Sequence, residues 1–293
     1  MIGIVILNYK NFCVTLRCVD SILKNPPSEE YQIIIVDNGS QNESIDVIKK
    51  EYSSIQNLSV CGLSQNHGFA AGNNYGISLC EKNGITECIL TNSDIIFKPN
   101  SIDKLVESIR TLNKAVIVGP KILDKDVNNS VQHSSMLKKT RFIDIIEICR
   151  LFPKKELDEV NEIGINKVFS VSGCCFAINV KKFRSMGAFD TNTFLYNEEN
   201  IMSSQAENAG LSVYIDLGAE VIHEHGVSSG KDNDFVRSEY IKSTLYYWRI
   251  YRKKGKMTLY LILLVFFLKL IATKRKIVHP TVVFRAGIDC LKK

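Results

Sequence analysis

Glu87-Cys88-Ile89-Leu90-Thr91-Asn92-Ser93-Asp94-Ile95-Ile96-Phe97 is the stretch that decides the fold. Residues 88–91 read as a buried strand, and the chain then turns polar and delivers one carboxylate, Asp94. In open α/β sheets, ligands bind in the crevice beyond the carboxyl ends of the strands. A carboxylate there, with an amide two residues earlier, suits a hard divalent cation held on a diphosphate. The bland reading is a turn, because Asn and Asp are common wherever a strand ends.

Outward from this stretch, the first 120 residues alternate strand and helix patterns. Ile2–Leu7, Gln32–Val36 and Leu58–Cys61 are short, β-branched apolar runs and read as strands. Between them, Val14–Leu23, Ile45–Tyr52 and Gly72–Cys80 carry helical spacing. Ser101–Leu112 follows as a helix with Ser101 as its expected cap, and Ala115–Val118 begins another strand. Strands separated by helices imply right-handed crossovers and a mostly parallel sheet. Residues 124–165 are polar with no clear period and read as loops and short helices, a lid or acceptor surface. Val168–Ile178 reads as one or two strands around a bend at Gly173. A helix is expected over Glu198–Ala209, short strands over Ser212–Asp216 and Glu220–Ile222, and a long aromatic helix over Ser238–Arg252.

Composition bounds the class. The chain has 293 residues, 45% hydrophobic and 23% charged, enough for one large domain or two modest ones. The apolar start is too short for a signal peptide and lacks a basic leader. Nine cysteines form no CxxC pair, so they are expected as reduced core thiols and not as a zinc site. The net charge of +6 concentrates late: WRIYRKKGK at 248–256 and Lys274-Arg275-Lys276 flank MTLYLILLVFFLKLIAT at 257–273. The apolar part is short for a membrane span. Basic flanks around it favour a helix lying on an anionic inner leaflet; a buried core helix is the alternative. Charge that brackets an apolar segment suits lipid better than nucleic acid, so no nucleic-acid partner is expected.

The polar residues cluster at element ends. Asp37 closes the second strand in VDNGS, where its carboxylate suits the imide N–H of uracil or thymine; an Asx turn is the plain alternative. Asn8 and Tyr9 end the first strand beside it, with Tyr9 able to stack on a base. Asn66-His67-Gly68 opens a helix, its glycine allowing close backbone approach to a ligand. Neither GxGxxG after the first strand nor a P-loop is present. Glu198, Glu199 and His223 complete the set, His223 as a neutral imidazole ligand for metal or phosphate.

Seven phrases in order carry a resemblance: VILNYK at 5–10, VDNGS at 36–40, NHGFAAGNN at 66–74, TNSD at 91–94, SGCCFAI at 172–178, GAFDTNTFLYNEEN at 187–200 and VIHEHGVSS at 221–229. Together they resemble the family-2 glycosyltransferases of the GT-A fold, particularly the rhamnosyltransferase-like branch that builds bacterial surface polysaccharides such as O-antigen or capsule. The resemblance implies a GT-A domain over residues 1–235, with 1–120 as the nucleotide-sugar half and 121–235 as the acceptor half. Residues 236–293 then form a membrane-associating helical segment at the cytoplasmic face of the cell membrane.

By the same resemblance, Asp37 binds the nucleobase beside Asn8 and Tyr9, and Asn66, Gly68, Asn92 and Ser93 line the donor. Asp94 is the last acid of the DxD signature, holding Mg²⁺ or Mn²⁺ with the diphosphate, and His223 lies near it. Glu199 is the catalytic base, with Glu198 as the alternative. This chain departs from the family at three places: Asn92 replaces the first acid, Glu199 lengthens the usual Asp, and Ile201 replaces a following acid. The implied partners are a nucleotide-diphosphate sugar donor and an undecaprenyl-diphosphate-linked saccharide acceptor. The rival readings are a catalytically degenerate membrane adaptor and a sugar-1-phosphate nucleotidyltransferase. The latter needs a glycine-rich basic loop after the first strand, where this chain has NYKNFCVTL.

Overall fold

The computed structural model describes residues 1–124, 131–132, 164–224, 234–272 and 287–288. The β-branched runs of the N-terminal half form β1 (Ile2–Asn8), β2 (Tyr31–Asp37), β3 (Leu58–Gly62) and β4 (Glu87–Asn92). Their connecting helices are α1 (Phe12–Lys24), α2 (Ser44–Glu51) and α3 (Phe69–Lys82). After β4 come β5 (Ile95–Phe97), α4 (Ser101–Thr111), β6 (Ala115–Asp124) and β7 (Val131–Gln132). The second half contributes β8 (Ile165–Val168), β9 (Cys175–Asn179), α5 (Val180–Ser185), α6 (Glu198–Asn208) and β10 (Ser212–His223). Two further helices follow, α7 (Asp234–Ile250) and α8 (Lys256–Ala272).

One sheet carries the described strands in the order β3-β2-β1-β4-β9-β6-β10-β5, with β7 on β6 and β8 on β10. The first four strands are mutually parallel, as the alternation of strands and helices requires. β9 enters antiparallel between β4 and β6, and β6 and β10 are again parallel to each other. A period of two divides the strands between two cores. Ile2, Ile4 and Ile6 face one side with Ile33 and Ile35, packed on α1, α2 and α4. Val5, Ile34 and Val36 face the other side, packed on α3, α5 and α6. With both faces covered, the continuous apolar runs of these strands are accounted for.

Four expectations change in the structure. Residues 95–97, given no element in the sequence, form β5, paired antiparallel to the end of β10. Ser101 is the first residue of α4 and not its cap; Asn100 caps at φ 62°, and the Ser101 hydroxyl lies 2.5 Å from the Glu220 carbonyl. The two short strands expected over 212–222 are one strand, β10, irregular between Asp216 and Glu220. At that irregularity Asp216 accepts from the Ser108 hydroxyl and the Gly218 N–H. The aromatic helix begins at Asp234, earlier than read. Most of the expected lid at 124–165, the end of VIHEHGVSS and the late basic triplet 274–276 lie outside the described residues.

α7 and α8 pack together into a third apolar cluster of Ile241, Leu245, Tyr247, Trp248, Leu259, Ile262 and Leu263, which also receives Ile201 of α6. Among its described side chains, α8 buries Leu259, Ile262 and Leu263. Met257, Tyr260, Leu261, Leu264 and Leu268 remain exposed on it. No helix among the described residues is long and apolar enough to cross a membrane. Truncating Leu245 to Ala should open a cavity at the centre of this cluster. Urea denaturation of Leu245→Ala is expected to show a loss of about 2–4 kcal/mol.

Candidate active site

Parallel pairing brings the polar strand ends to one edge. Asn8 stands opposite Asp37 in the β1–β2 register, and Asn92 stands opposite Leu7 in the β1–β4 register. The amide of Asn8 donates to Asp37 Oδ2 at 2.5 Å and its Oδ1 accepts from the Thr15 hydroxyl at 2.7 Å. Asp37 also accepts from the backbone N–H and the hydroxyl of Ser40, at 2.9 and 2.5 Å. The Ser40 hydroxyl in turn accepts from the Lys10 N–H at 2.7 Å. Asn8 and Asp37 are thus buried and already engaged, so their first effect is to shape the turn that carries Tyr9. Tyr9 itself is 38% exposed, with Lys10 Nζ 5.0 Å from its ring.

Asp94 stands in the two-residue turn between β4 and β5. Antiparallel pairing of β5 with β10 sets His223 opposite Ile95. The Glu224 N–H donates to the Asp94 carbonyl at 2.9 Å, and Glu224 also holds Arg17 of α1 at 2.8 Å. His223 Nε2 then lies 3.3 Å from Asp94 Oδ2, with both side chains largely buried. A carboxylate and an imidazole meeting edge to edge make a donor set that fits one divalent cation, with a diphosphate supplying further oxygens. Ser93 is buried beside them and Asn92 is half-buried.

The acids of α6 differ sharply. Glu198 is buried, and its Oε1 has no hydrogen-bond partner among the described residues. Burial, followed by the neighbouring charge of Glu199, pushes its carboxyl up to about 8. Glu199 is half-buried, and its Oε1 accepts the Gly173 N–H at 3.1 Å. A side chain at Gly173 would crowd that carboxylate, since a Cβ would lie 3.0 Å from Oε1. The next residue, Cys174, receives the Asn92 N–H on its carbonyl at 2.8 Å. Its thiol is pushed up to about 12, mainly by burial, with the charges of Asp94 and Glu199 adding to it. The β4 end and the start of α6 therefore meet at residues 173–174.

The loop at 66–68 does something other than expected. Asn66 Oδ1 accepts from Asn38 and from the Gly68 N–H, so it folds its own loop. Gly68 has φ 89°, and a Cβ there would lie 2.5 Å from the Phe194 carbonyl. The close approach its glycine permits is to the chain's own segment before Glu198, and the Phe69 N–H donates to that same carbonyl. Sequence reasoning missed Gly173 as the partner of Glu199. It also missed Asn197, although an Asn immediately ahead of two acids has the form of a helix N-cap.

A sheet of this order with a polar edge beyond its parallel strands is the arrangement of the GT-A fold. The family model described as "Glycosyl transferase family 2" matches residues 3–187, and the chain belongs to that family. An N-acetylglucosaminyl-diphospho-decaprenol L-rhamnosyltransferase of Mycobacterium tuberculosis is 26% identical over 226 residues, 72% of each chain. The low-salt glycan biosynthesis hexosyltransferase Agl10 of Haloferax volcanii is 25% identical over 234 residues, covering 77% of this chain and 68% of that protein. The crystal structure of GalNAc-T7 with UDP, GalNAc and Mn²⁺ superposes with a TM-score of 0.64 at 16% identity. The match takes in 86% of this chain, which spans about half (49%) of that structure.

The raised carboxyl of Glu198 has a thermodynamic signature. Folding holds its proton between the ordinary value of 4.5 and about 8, so the stability linked to it is fully present at low pH and drains away as pH rises through about 8. Glu198→Gln removes this dependence. Melting curves from pH 5 to 9 are expected to show the variant gaining steadily on the wild type up to about pH 8 and keeping that lead unchanged above it.

Proposed function

We propose that this glycosyltransferase moves a sugar, with inversion, from TDP-rhamnose or a UDP-hexose to a hydroxyl of a lipid-linked oligosaccharide. The acceptor in this reading is an undecaprenyl-diphosphate saccharide of a surface polysaccharide such as O-antigen or capsule. Residues 1–120 serve the donor, residues 121–235 the acceptor, and residues 236–293 the membrane. The observation that carries the reading is that residues 173–174 join the two acidic elements: Glu199 accepts the Gly173 N–H, and the Cys174 carbonyl accepts the N–H of Asn92, two residues before Asp94. The rhamnosyltransferase named for a decaprenol-diphosphate substrate supports the lipid-linked acceptor.

Glu199 is the base in preference to Glu198. It is the more accessible of the two, and the Gly173 N–H fixes its Oε1, leaving Oε2 without a hydrogen bond among the described residues. Glu198, buried and protonated at neutral pH, avoids a second negative charge beside it. As the acceptor hydroxyl oxygen forms its bond to C1 of the sugar, its proton passes to the Glu199 carboxylate. The C1–oxygen bond to the diphosphate breaks on the opposite face and its electron pair leaves with the nucleotide. Asp94 and His223 would hold Mg²⁺ or Mn²⁺, which when bound offsets the charge of the departing diphosphate. Asp37, held by Asn8 and Ser40, sets the turn at which the base is received, with Tyr9 as its stacking surface.

Isothermal titration with TDP-rhamnose, UDP-galactose, UDP-glucose and UDP-N-acetyl sugars, with and without Mn²⁺, tests the site. One donor should bind in a Mn²⁺-dependent manner and lose that binding in Asp94→Ala. Glu199→Gln should bind the same donor within about twofold and lose transfer by about 10³-fold or more. A folded protein that binds none of these donors would favour the adaptor reading.

The membrane reading rests on the exposed apolar face of α8 and the basic residues Arg249, Lys253 and Lys256 at and before its start. Apolar area and positive charge together favour an anionic leaflet. In flotation with phosphatidylglycerol-containing vesicles the wild type should rise with the lipid. Leu261→Glu/Leu264→Glu, which changes only exposed positions, should stay at the bottom with an unchanged melting temperature.

A further inference from the structure

The two acids sit at the start of α6, and the chain enters that helix through an unusual turn. Tyr196 and Asn197 are consecutive non-glycine residues in the left-handed region, at φ 74° and 65°. Such conformations persist only where surrounding contacts enforce them. Asn197 occupies the cap position, yet its side chain makes no capping bond to α6. Its Nδ2 reaches α7 instead, 3.0 Å from the Thr244 hydroxyl and 3.3 Å from that of Ser243. Both hydroxyls are buried and already donate to backbone carbonyls of their own helix, Ser243 to Glu239 at 2.8 Å and Thr244 to Tyr240 at 2.6 Å. Their oxygens are left as acceptors, which fixes the amide with its N–H₂ toward α7. Asn197 Oδ1 correspondingly accepts from Asn200 at 3.1 Å.

The neighbouring contacts point the same way. The Tyr196 ring packs edge-on against Tyr240 at 5.6 Å, and Phe194 packs against Phe235 at 5.6 Å. On the other side the Phe194 carbonyl is held by Phe69 N–H. Residues 194–197 are therefore clamped between the start of α3 and the length of α7.

We propose that Asn197 is a positioning residue for the transfer reaction, and that α7 acts through it to hold Glu199 where the acceptor hydroxyl is deprotonated. This rests on the assignment of Glu199 as the base, and it makes the C-terminal helices part of the catalytic framework as well as a means of attachment. Asn197, Ser243 and Thr244 need touch neither donor nor acceptor.

The test is a coupled set of variants: Asn197→Ala, Ser243→Ala/Thr244→Val, their combination, and the conservative Thr244→Ser. Transfer is followed with TDP-rhamnose and N-acetylglucosaminyl-diphospho-decaprenol, or with whichever nucleotide sugar in the panel above binds, and donor affinity by titration. Asn197→Ala and Ser243→Ala/Thr244→Val should each lower kcat by 10-fold or more while the donor Kd stays within twofold. The combination should fall no further than Asn197→Ala alone, and Thr244→Ser should retain wild-type kcat. Wild-type kcat in a folded Asn197→Ala, or parallel loss of donor affinity and kcat, would overturn the proposal. Should Asn197→Ala fail to fold, Ser243→Ala/Thr244→Val decides by the same two readouts. A wild type that binds no donor and turns nothing over removes the base assignment itself, and is thereby distinct from variants that remain fully active.

Discussion

The parallel register of β2, β1 and β4 is the constraint on which the site depends. It sets Asn8 opposite Asp37 and Leu7 opposite Asn92, so three strands turn polar at the same height. A one-residue slip would also exchange the two faces, sending Ile4 and Ile6 where Val5 now lies. Core and site are therefore specified by one and the same alignment, and the buried Asn8–Asp37–Ser40 bonds pin its polar end.

The acids that this arrangement collects are kept apart by environment. Asp94 is met by His223, Glu199 by a backbone N–H, and Glu198 by burial with no partner for Oε1 among the described residues. Three carboxyl groups in one region would repel one another if all were charged alike. Leaving one of them buried and protonated relieves that repulsion without removing a side chain. Ile201, which stands where the family pattern resembled in the sequence has another acid, lies in the apolar cluster with α7 and α8. The departure has a packing reason.

Much of this was legible in the sequence. Strands of continuous β-branched residues and the polar residues that end them carry their own signal, so β1 to β4 and the placement of Asp37 and Asp94 could be read directly. β5 could not, because Ile95-Ile96-Phe97 is too short to show a period and becomes a strand only by pairing with β10. That pairing is what joins Asp94 to His223. Gly68 and Asn8 were recognised as important but for a ligand, whereas each first serves the chain itself, one admitting Phe194 and the other holding Asp37. The partners of Asn197 lie more than forty residues further along, and nothing local to Asn197 indicates them. The family match, ending at residue 187, stops short of both acids and of the helices behind them.

The third apolar cluster bears on how the molecule can be cut. A boundary drawn at residue 235 falls just inside α7 and separates Ile201 from Ile241, Leu245 and Trp248. A fragment trimmed there to improve handling would present an uncovered oily surface one turn from its own acids. It would be prone to self-association for reasons unrelated to lipid.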